Sequence, residues 1–188
     1  MIKIGITGSL ASGKTTASRY LSKKYGPLFS ADKAVKALYA EAYFKSLISR
    51  KFKLINNSLL KKNLKKKILE DKRNIKILEK IVHPIVRRKL KNFTTKHMKR
   101  RILFYEIPLL IESKLMKYFD VIIFIKAKKK LRLKRFKSKK GSKELFNIFN
   151  NKQMKDKKKI KFCDHVVVNE KKLNILKKKL SDIMNQYV

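Results

Sequence analysis

The octapeptide Gly8-Ser9-Leu10-Ala11-Ser12-Gly13-Lys14-Thr15 has the spacing G-x-x-x-x-G-K-[ST] and stands between two patterned segments. Before it, Ile2–Thr7 is a short β-branched run that reads as a buried strand. After it, Ala17, Tyr20 and Leu21 recur at helical spacing through Lys14–Tyr25, and Gly26-Pro27 stops the helix. A strand, a glycine loop and a helix in this order make a phosphate cradle. Successive backbone N–H groups turn inward around the anion, and glycine permits backbone angles and close approach that a Cβ obstructs. The helix presents its positive end to the same charge. Gly8, Ser9, Leu10, Ala11, Ser12, Gly13, Lys14, Thr15 and Thr16 are therefore the candidate nucleotide-binding residues. Lys14 is placed to bridge the β- and γ-phosphates of a triphosphate such as ATP, and the Thr15 hydroxyl to ligate Mg²⁺.

Outward from the loop, strands alternate with helices. Leu28–Ala31 reads as a second brief strand with Asp32 at its carboxyl end. Helical patterns follow through Lys33–Phe52, Leu59–Leu69 and Ile75–Leu90. Ile102–Ile107, closed by Pro108, and Val121–Ile125 are apolar runs of strand length. Lys126–Lys161 is very basic and helical in pattern with a break at Gly141; Val166–Val168 is a last short strand before an amphipathic helix at Leu173–Met184. Such alternation predicts a parallel sheet covered on both faces, with ligands beyond the carboxyl ends of the strands. Gly8, Asp32, Glu106 and Lys126 all fall at or just past those ends. The expectation is one α/β domain over 1–188, without internal repeats.

The composition bounds the function more loosely. The 188 residues are 44% hydrophobic, enough for a sizeable core, while 52 Lys and Arg against 13 Asp and Glu give a net charge of +39. That field attracts polyanions. The lysines are spread along the whole chain, however, and a nucleic-acid site concentrates its charge on one face or stripe. The spread reads as a composition bias laid over solvated faces, with non-specific adhesion to nucleic acid at low salt and no specific nucleic-acid partner. A single cysteine, Cys163, excludes an intrachain disulfide and reads as a buried structural thiol. The apolar run at the N-terminus is too short for a signal peptide, and no stretch has the roughly 18 apolar residues of a membrane span. The expected setting is a reducing cytoplasm with no membrane partner, and a monomer is favoured.

A phosphate loop alone fits a GTPase, an ATPase or a kinase. No N-K-x-D guanine motif is present. Phosphoryl transfer to an alcohol requires a carboxylate near the acceptor hydroxyl, and Asp32 beside the loop suits that role; it suits equally the cap of the next helix.

The context comes from segments in a fixed order behind the loop: Ser30-Ala31-Asp32, Leu78-Glu79-Lys80-Ile81-Val82-His83-Pro84-Ile85-Val86, Ile107-Pro108-Leu109-Leu110-Ile111-Glu112 and Asp164-His165-Val166-Val167-Val168-Asn169. This succession resembles the dephospho-CoA kinase family over nearly the whole chain, least in Tyr43–Arg73. The resemblance implies a P-loop NTPase three-layer fold with a five-stranded parallel sheet, a helical acceptor-binding region at about 33–92 and a small lid at about 134–160. It implies transfer of the ATP γ-phosphoryl to the 3′-hydroxyl of dephospho-CoA, with Asp32 as general base. His83, Arg87 and Leu109 fall on the acceptor side, Arg135 and Lys139 in the lid, and Asn169 on the adenine side; Thr15 and Glu106 attend Mg²⁺. Taken by itself, His83 before a proline reads as a structural helix-start residue. Gln153 fits a family glutamine. Ser9 and Ala11 stand where relatives usually have glycine, Glu106 where aspartate is usual, and Lys139 where arginine is usual. Lysine lacks the planar fork that grips phosphate in a bidentate way. The competing readings are another P-loop kinase, such as a nucleoside monophosphate kinase, and a basic nucleic-acid-binding protein that retains the loop.

Overall fold

The computed structural model describes residues 1–71 and 73–188. Five parallel strands run in the order β2-β3-β1-β4-β5, with β1 at Ile2–Gly8, β2 at Leu28–Ser30, β3 at Ile102–Glu106, β4 at Val121–Lys126 and β5 at His165–Val168. The helices are α1 (Lys14–Tyr25), α2 (Ala31–Leu38), α3 (Ala42–Phe52), α4 (Leu60–Glu70), α5 (Arg73–Lys96), α6 (Lys129–Lys137), α7 (Lys143–Lys152), α8 (Asp156–Ile160) and α9 (Leu173–Met184). The chain divides into two compact units. The first comprises Met1–Ser30 and His97–Val188, and the second Ala31–Lys96.

In the first unit the central strands are apolar almost throughout, because both faces of a parallel sheet are covered. Ile4 and Ile6 of β1 and Ile123 and Ile125 of β4 share one face, where they pack with Ala17 and Leu21 of α1. Leu176, Leu180 and Met184 recur every four residues on α9 and close the same core. Each such fully buried aliphatic side chain contributes roughly 1.5–3 kcal/mol. The register sets the site: Ile6 pairs with Glu106, Ser30 pairs with Glu106, and Gly8 pairs with Ile125. The carboxyl ends of β1, β2, β3 and β4 thus align along one edge of the sheet.

In the second unit α2 packs against α5, and α4 against both α3 and α5. Leu38, Phe44, Ile48, Leu60, Leu64 and Val82 form its core.

Several expectations need correction. Ala31 starts α2 instead of ending β2, so Asp32 lies in the first turn of a helix. The pattern through Lys33–Phe52 is two helices, divided at Tyr39–Glu41, where Ala40 and Glu41 close tight turns onto the carbonyls of Ala37 and Leu38. No glycine or proline marks that break. His83 does not start a helix: it lies inside the 24-residue α5, as does Pro84. A proline there forfeits the hydrogen bond to the carbonyl four residues back, that of Lys80, and burial of Ile75 and Val82 on the same helix offsets the loss. Cys163 is half-buried, its thiol donating to the Lys159 carbonyl at 3.3 Å.

Candidate active site

The loop between β1 and α1 depends on three residues with positive φ: Gly8 at 148°, Ala11 at 58° and Gly13 at 102°. At Gly8 a Cβ would stand 2.3 Å from the Ile125 carbonyl oxygen, and at Gly13 it would stand 2.1 Å from Asn169 Nδ2. Gly8 is therefore required by space as well as by backbone angle, and Gly13 by its backbone angle, with the Asn169 amide filling the room a Cβ would take. Ala11 takes the left-handed conformation with a Cβ, at a cost of about 1–2 kcal/mol.

Lys14 is buried at the base of the loop, its ammonium donating to the carbonyls of Gly8 at 3.0 Å and Ser9 at 2.9 Å. Beside it, Thr15 Oγ1 donates to Glu106 Oε1 at 2.5 Å, and Ser30 Oγ donates to Glu106 Oε2 at 2.9 Å. Glu106 is 1% exposed. A hydroxyl and a carboxylate next to a phosphate cradle form an all-oxygen donor set that suits Mg²⁺, which takes one or two carboxylates and completes its shell with phosphate and water. Among the described residues no cluster of three or more His, Cys, Asp or Glu competes with this pair. The residues fit the ion.

The outer side of the loop is held by Arg135, Asn169 and Gln153, which the sequence marked, and by Arg132 and Asp156, which it did not. Arg132 is 6% exposed; its guanidinium donates to the carbonyls of Ala127 at 3.1 Å and Leu10 at 3.3 Å, and to Asn150 Oδ1 at 2.9 Å. Burial lowers its pKa from the ordinary value, and the nearby charge of Asp156 opposes that. Arg135 Nη1 donates to the Ser12 carbonyl at 3.3 Å and Nη2 to the Asn169 carbonyl at 3.1 Å. Asn169 Nδ2 donates to the same Ser12 carbonyl at 2.8 Å. The Ser9 hydroxyl donates to Asp156, and the Leu10 N–H donates to Gln153 Oε1 at 2.9 Å. The loop carbonyls and its tip are thus anchored outward, by α6 and by Gln153–Asp156.

The other expected residues are distributed as follows. Leu109 is half-buried just past β3, and its carbonyl accepts from Ser113. Lys139 is exposed two residues beyond α6. Thr16 is exposed in the first turn of α1. In the second unit, Asp32 is exposed on α2, while His83, half-buried, and Arg87, exposed, stand one turn apart on α5, the helix against which α2 packs. The signal for Arg132 was its type: in this chain only nine of 52 basic residues are arginine, and a planar fork is the group that serves several carbonyls at once.

A parallel sheet of this order, with a glycine loop at its carboxyl edge, a buried lysine in the loop and a Thr–Glu oxygen pair beside it, defines a nucleotide-binding protein of the P-loop class. The model of the dephospho-CoA kinase family matches residues 2–174. A dephospho-CoA kinase of Bartonella quintana is 34% identical over 169 residues, which cover 87% of each chain. Among solved structures, a protein of Thermus thermophilus is 28% identical with a TM-score of 0.80, covering 100% of this chain and 98% of that one. A dephospho-CoA kinase of Campylobacter jejuni is 26% identical with a TM-score of 0.65, covering 98% and 96%. The chain belongs to the dephospho-CoA kinase family. It is an ATP-dependent kinase, and the reading as a dephospho-CoA kinase prevails over another nucleotide kinase and over a nucleic-acid-binding protein.

Proposed function

We propose that the chain transfers the γ-phosphoryl group of ATP to the 3′-hydroxyl of the dephospho-CoA ribose, giving CoA and ADP, and that it works in the cytoplasm as a monomer. The loop geometry supports the ATP part of this reading, with a buried ammonium at the base of the loop and a Thr–Glu pair meeting at 2.5 Å beside it, and the family match supports the acceptor.

In the proposed reaction Lys14 exchanges its loop carbonyls for the β- and γ-phosphate oxygens and neutralises charge there. Thr15 and Glu106 would hold Mg²⁺, which when bound offsets the charge of the transferring group. Asp32 orients the acceptor hydroxyl and accepts its proton as the oxygen attacks γ-phosphorus and the bond to the ADP oxygen breaks. His83 and Arg87, one turn apart on α5, and Leu109 are the proposed acceptor contacts. Arg135 borders the phosphate loop from the lid side, and Lys139 adds an exposed charge four residues further on. Asn169, whose amide braces the Ser12 carbonyl, forms the adenine side. The region of about 33–92 is read as the acceptor-binding part and about 134–160 as the lid.

No described helix is long and apolar enough to cross a membrane. Because the charge of +39 is scattered, attraction to nucleic acid is expected to be non-specific and to fall steeply with salt.

The deciding experiment measures ADP formation with ATP, Mg²⁺ and dephospho-CoA, against AMP, CMP and adenosine as acceptors. Turnover with dephospho-CoA alone is expected. Preference for another acceptor would overturn the assignment, and full activity of Lys14→Ala would overturn the role of the loop.

A further inference from the structure

The strip Gln153–Lys159 makes four polar contacts, two to the phosphate loop and two to Glu112, none of which belongs to the proposed chemistry. Gln153 accepts the Leu10 N–H at 2.9 Å, and Asp156 accepts the Ser9 hydroxyl. The Met154 N–H donates to Glu112 Oε1 at 3.1 Å, and Lys159, fully buried, pairs with the same oxygen at 2.7 Å. The strip is therefore held on two sides: to the phosphate loop through Gln153 and Asp156, and to the segment following β3 through Met154 and Lys159.

We propose that Asp156 is a positioning residue for ATP, acting through Ser9 to hold the loop open for the triphosphate. Three residues of that loop have positive φ, including Ala11, whose Cβ makes the conformation costly. A loop in such a state keeps its shape only when its surroundings over-determine it. The inner face is kept for the ligand, so the restraint must come from the outer face. There Arg132 holds the Leu10 carbonyl and Gln153 the Leu10 N–H. Asp156 completes the restraint at Ser9, the residue beside Gly8. Its carboxylate is tolerable so near a phosphate site because its charge attracts Arg132 and because the serine hydroxyl occupies it. This device depends on a hydroxyl at position 9, and glycine there would abolish it. Pre-organisation of this kind acts on binding more than on the chemical step.

The test compares Asp156→Ala, Asp156→Asn, Ser9→Ala and the double alanine variant. ATP affinity is measured by calorimetry without acceptor, together with KM for ATP, kcat and melting temperature. Asp156→Ala is expected to weaken ATP binding and raise KM about tenfold, the scale of one lost charge-assisted hydrogen bond, with kcat changed less than about threefold. Asn retains an acceptor oxygen, so Asp156→Asn is expected to remain within about threefold of wild type. The double variant is expected to be no weaker than the worse single variant, since both remove one bond. Unchanged ATP affinity in Asp156→Ala, multiplied effects in the double variant, or equal damage from Asn and Ala would each overturn the proposal. If Asp156→Ala does not fold, Ser9→Thr against Ser9→Ala makes the same comparison. Threonine is expected to retain ATP affinity and alanine to lose it, and the reverse order overturns the proposal. The inference rests on the ATP-binding part of the proposed function. Since it is read without acceptor, wild-type protein that binds ATP but ignores dephospho-CoA would refute the acceptor assignment separately.

Discussion

The hydroxyl of Thr15 and the carboxylate of Glu106 meet at 2.5 Å across 91 positions of sequence. The pairing of Ile6 with Glu106 between β1 and β3 brings the end of β3 under the start of α1, so the contact is a product of register. If these oxygens hold Mg²⁺, Glu106→Gln removes the negative charge and puts an N–H₂ in place of one carboxylate oxygen, facing the hydroxyl that donates to it. The expected result is a rise of about tenfold or more in the Mg²⁺ concentration needed for half-maximal turnover. In melting experiments with ATP, adding Mg²⁺ is expected to raise the wild-type midpoint and to leave the variant nearly unmoved. A variant with wild-type Mg²⁺ dependence on both readouts would remove Glu106 from the metal shell.

Asp32 is exposed in the first turn of α2, where an acidic side chain also favours the helix dipole. The two roles separate by measurement. As a general base, Asp32→Asn is expected to lower kcat about 10²- to 10⁴-fold while ATP affinity stays within about twofold. A purely helix-terminal role predicts a loss of less than about 1 kcal/mol in stability and near-normal turnover, which would sink the base assignment.

At Ala11 the backbone φ is 58°, a conformation glycine adopts without penalty. Ala11→Gly is expected to stabilise the folded chain by about 1 kcal/mol, raising the melting midpoint by roughly 2–4 °C for a chain of this size. An unchanged or lower midpoint would mean that the left-handed conformation at position 11 carries no net strain.

Burial pushes the Cys163 thiol from its ordinary 9.0 up to about 12, with the neighbouring Asp164 adding to the rise and Lys159 opposing it. A thiol so held is protonated at neutral pH and is a poor nucleophile. The native protein is expected to resist alkylation by iodoacetamide at pH 8, and denatured protein to react freely. Since the folded pKa exceeds the unfolded one, the stability linked to this proton is full below about pH 9. It declines as pH rises from there towards about 12. Rapid native alkylation at pH 8 would contradict the assigned environment.

The strands and the phosphate loop were legible because each rests on a local pattern: Val121–Ile125 is apolar without interruption, and the octapeptide fixes its own flanks. The closing helix, Leu173–Met184, was legible for the same reason, from its four-residue apolar period. The braces behind the loop were not. Ser9 and Asp156 are 147 residues apart, Leu10 and Arg132 122 apart, and their meeting depends on how α6 and Gln153–Lys159 pack. Lys159 shows the difficulty most plainly. It stands in the run Lys157-Lys158-Lys159, and only the helical phase of α8 decides that this one is buried against Glu112 while its neighbours are exposed. In a chain with 52 basic residues, one lysine carries almost no signal. His83 was misread for the opposite reason: a strong local cue, the following proline, was overridden by the burial of α5 around it.

Arg132 is the residue at which charge and geometry separate most cleanly. Its guanidinium serves two carbonyls and one amide oxygen at 2.9–3.3 Å, and its carbon lies 5.7 Å from the centre of the Phe146 ring. Lysine keeps the charge but brings one compact ammonium, which cannot hold the Ala127 and Leu10 carbonyls and Asn150 in the same plane. Arg132→Lys therefore leaves at least one buried acceptor unpaired, at a cost of about 1–3 kcal/mol. The melting midpoint is expected to fall by several degrees, and ATP affinity to weaken because the Leu10 carbonyl loses its anchor. Arg19→Lys, the same exchange at an exposed position of α1, is the control and is expected to change stability by less than about 0.5 kcal/mol. Equal small effects of the two substitutions would show that net charge alone, and not the fork of Arg132, steadies the phosphate loop.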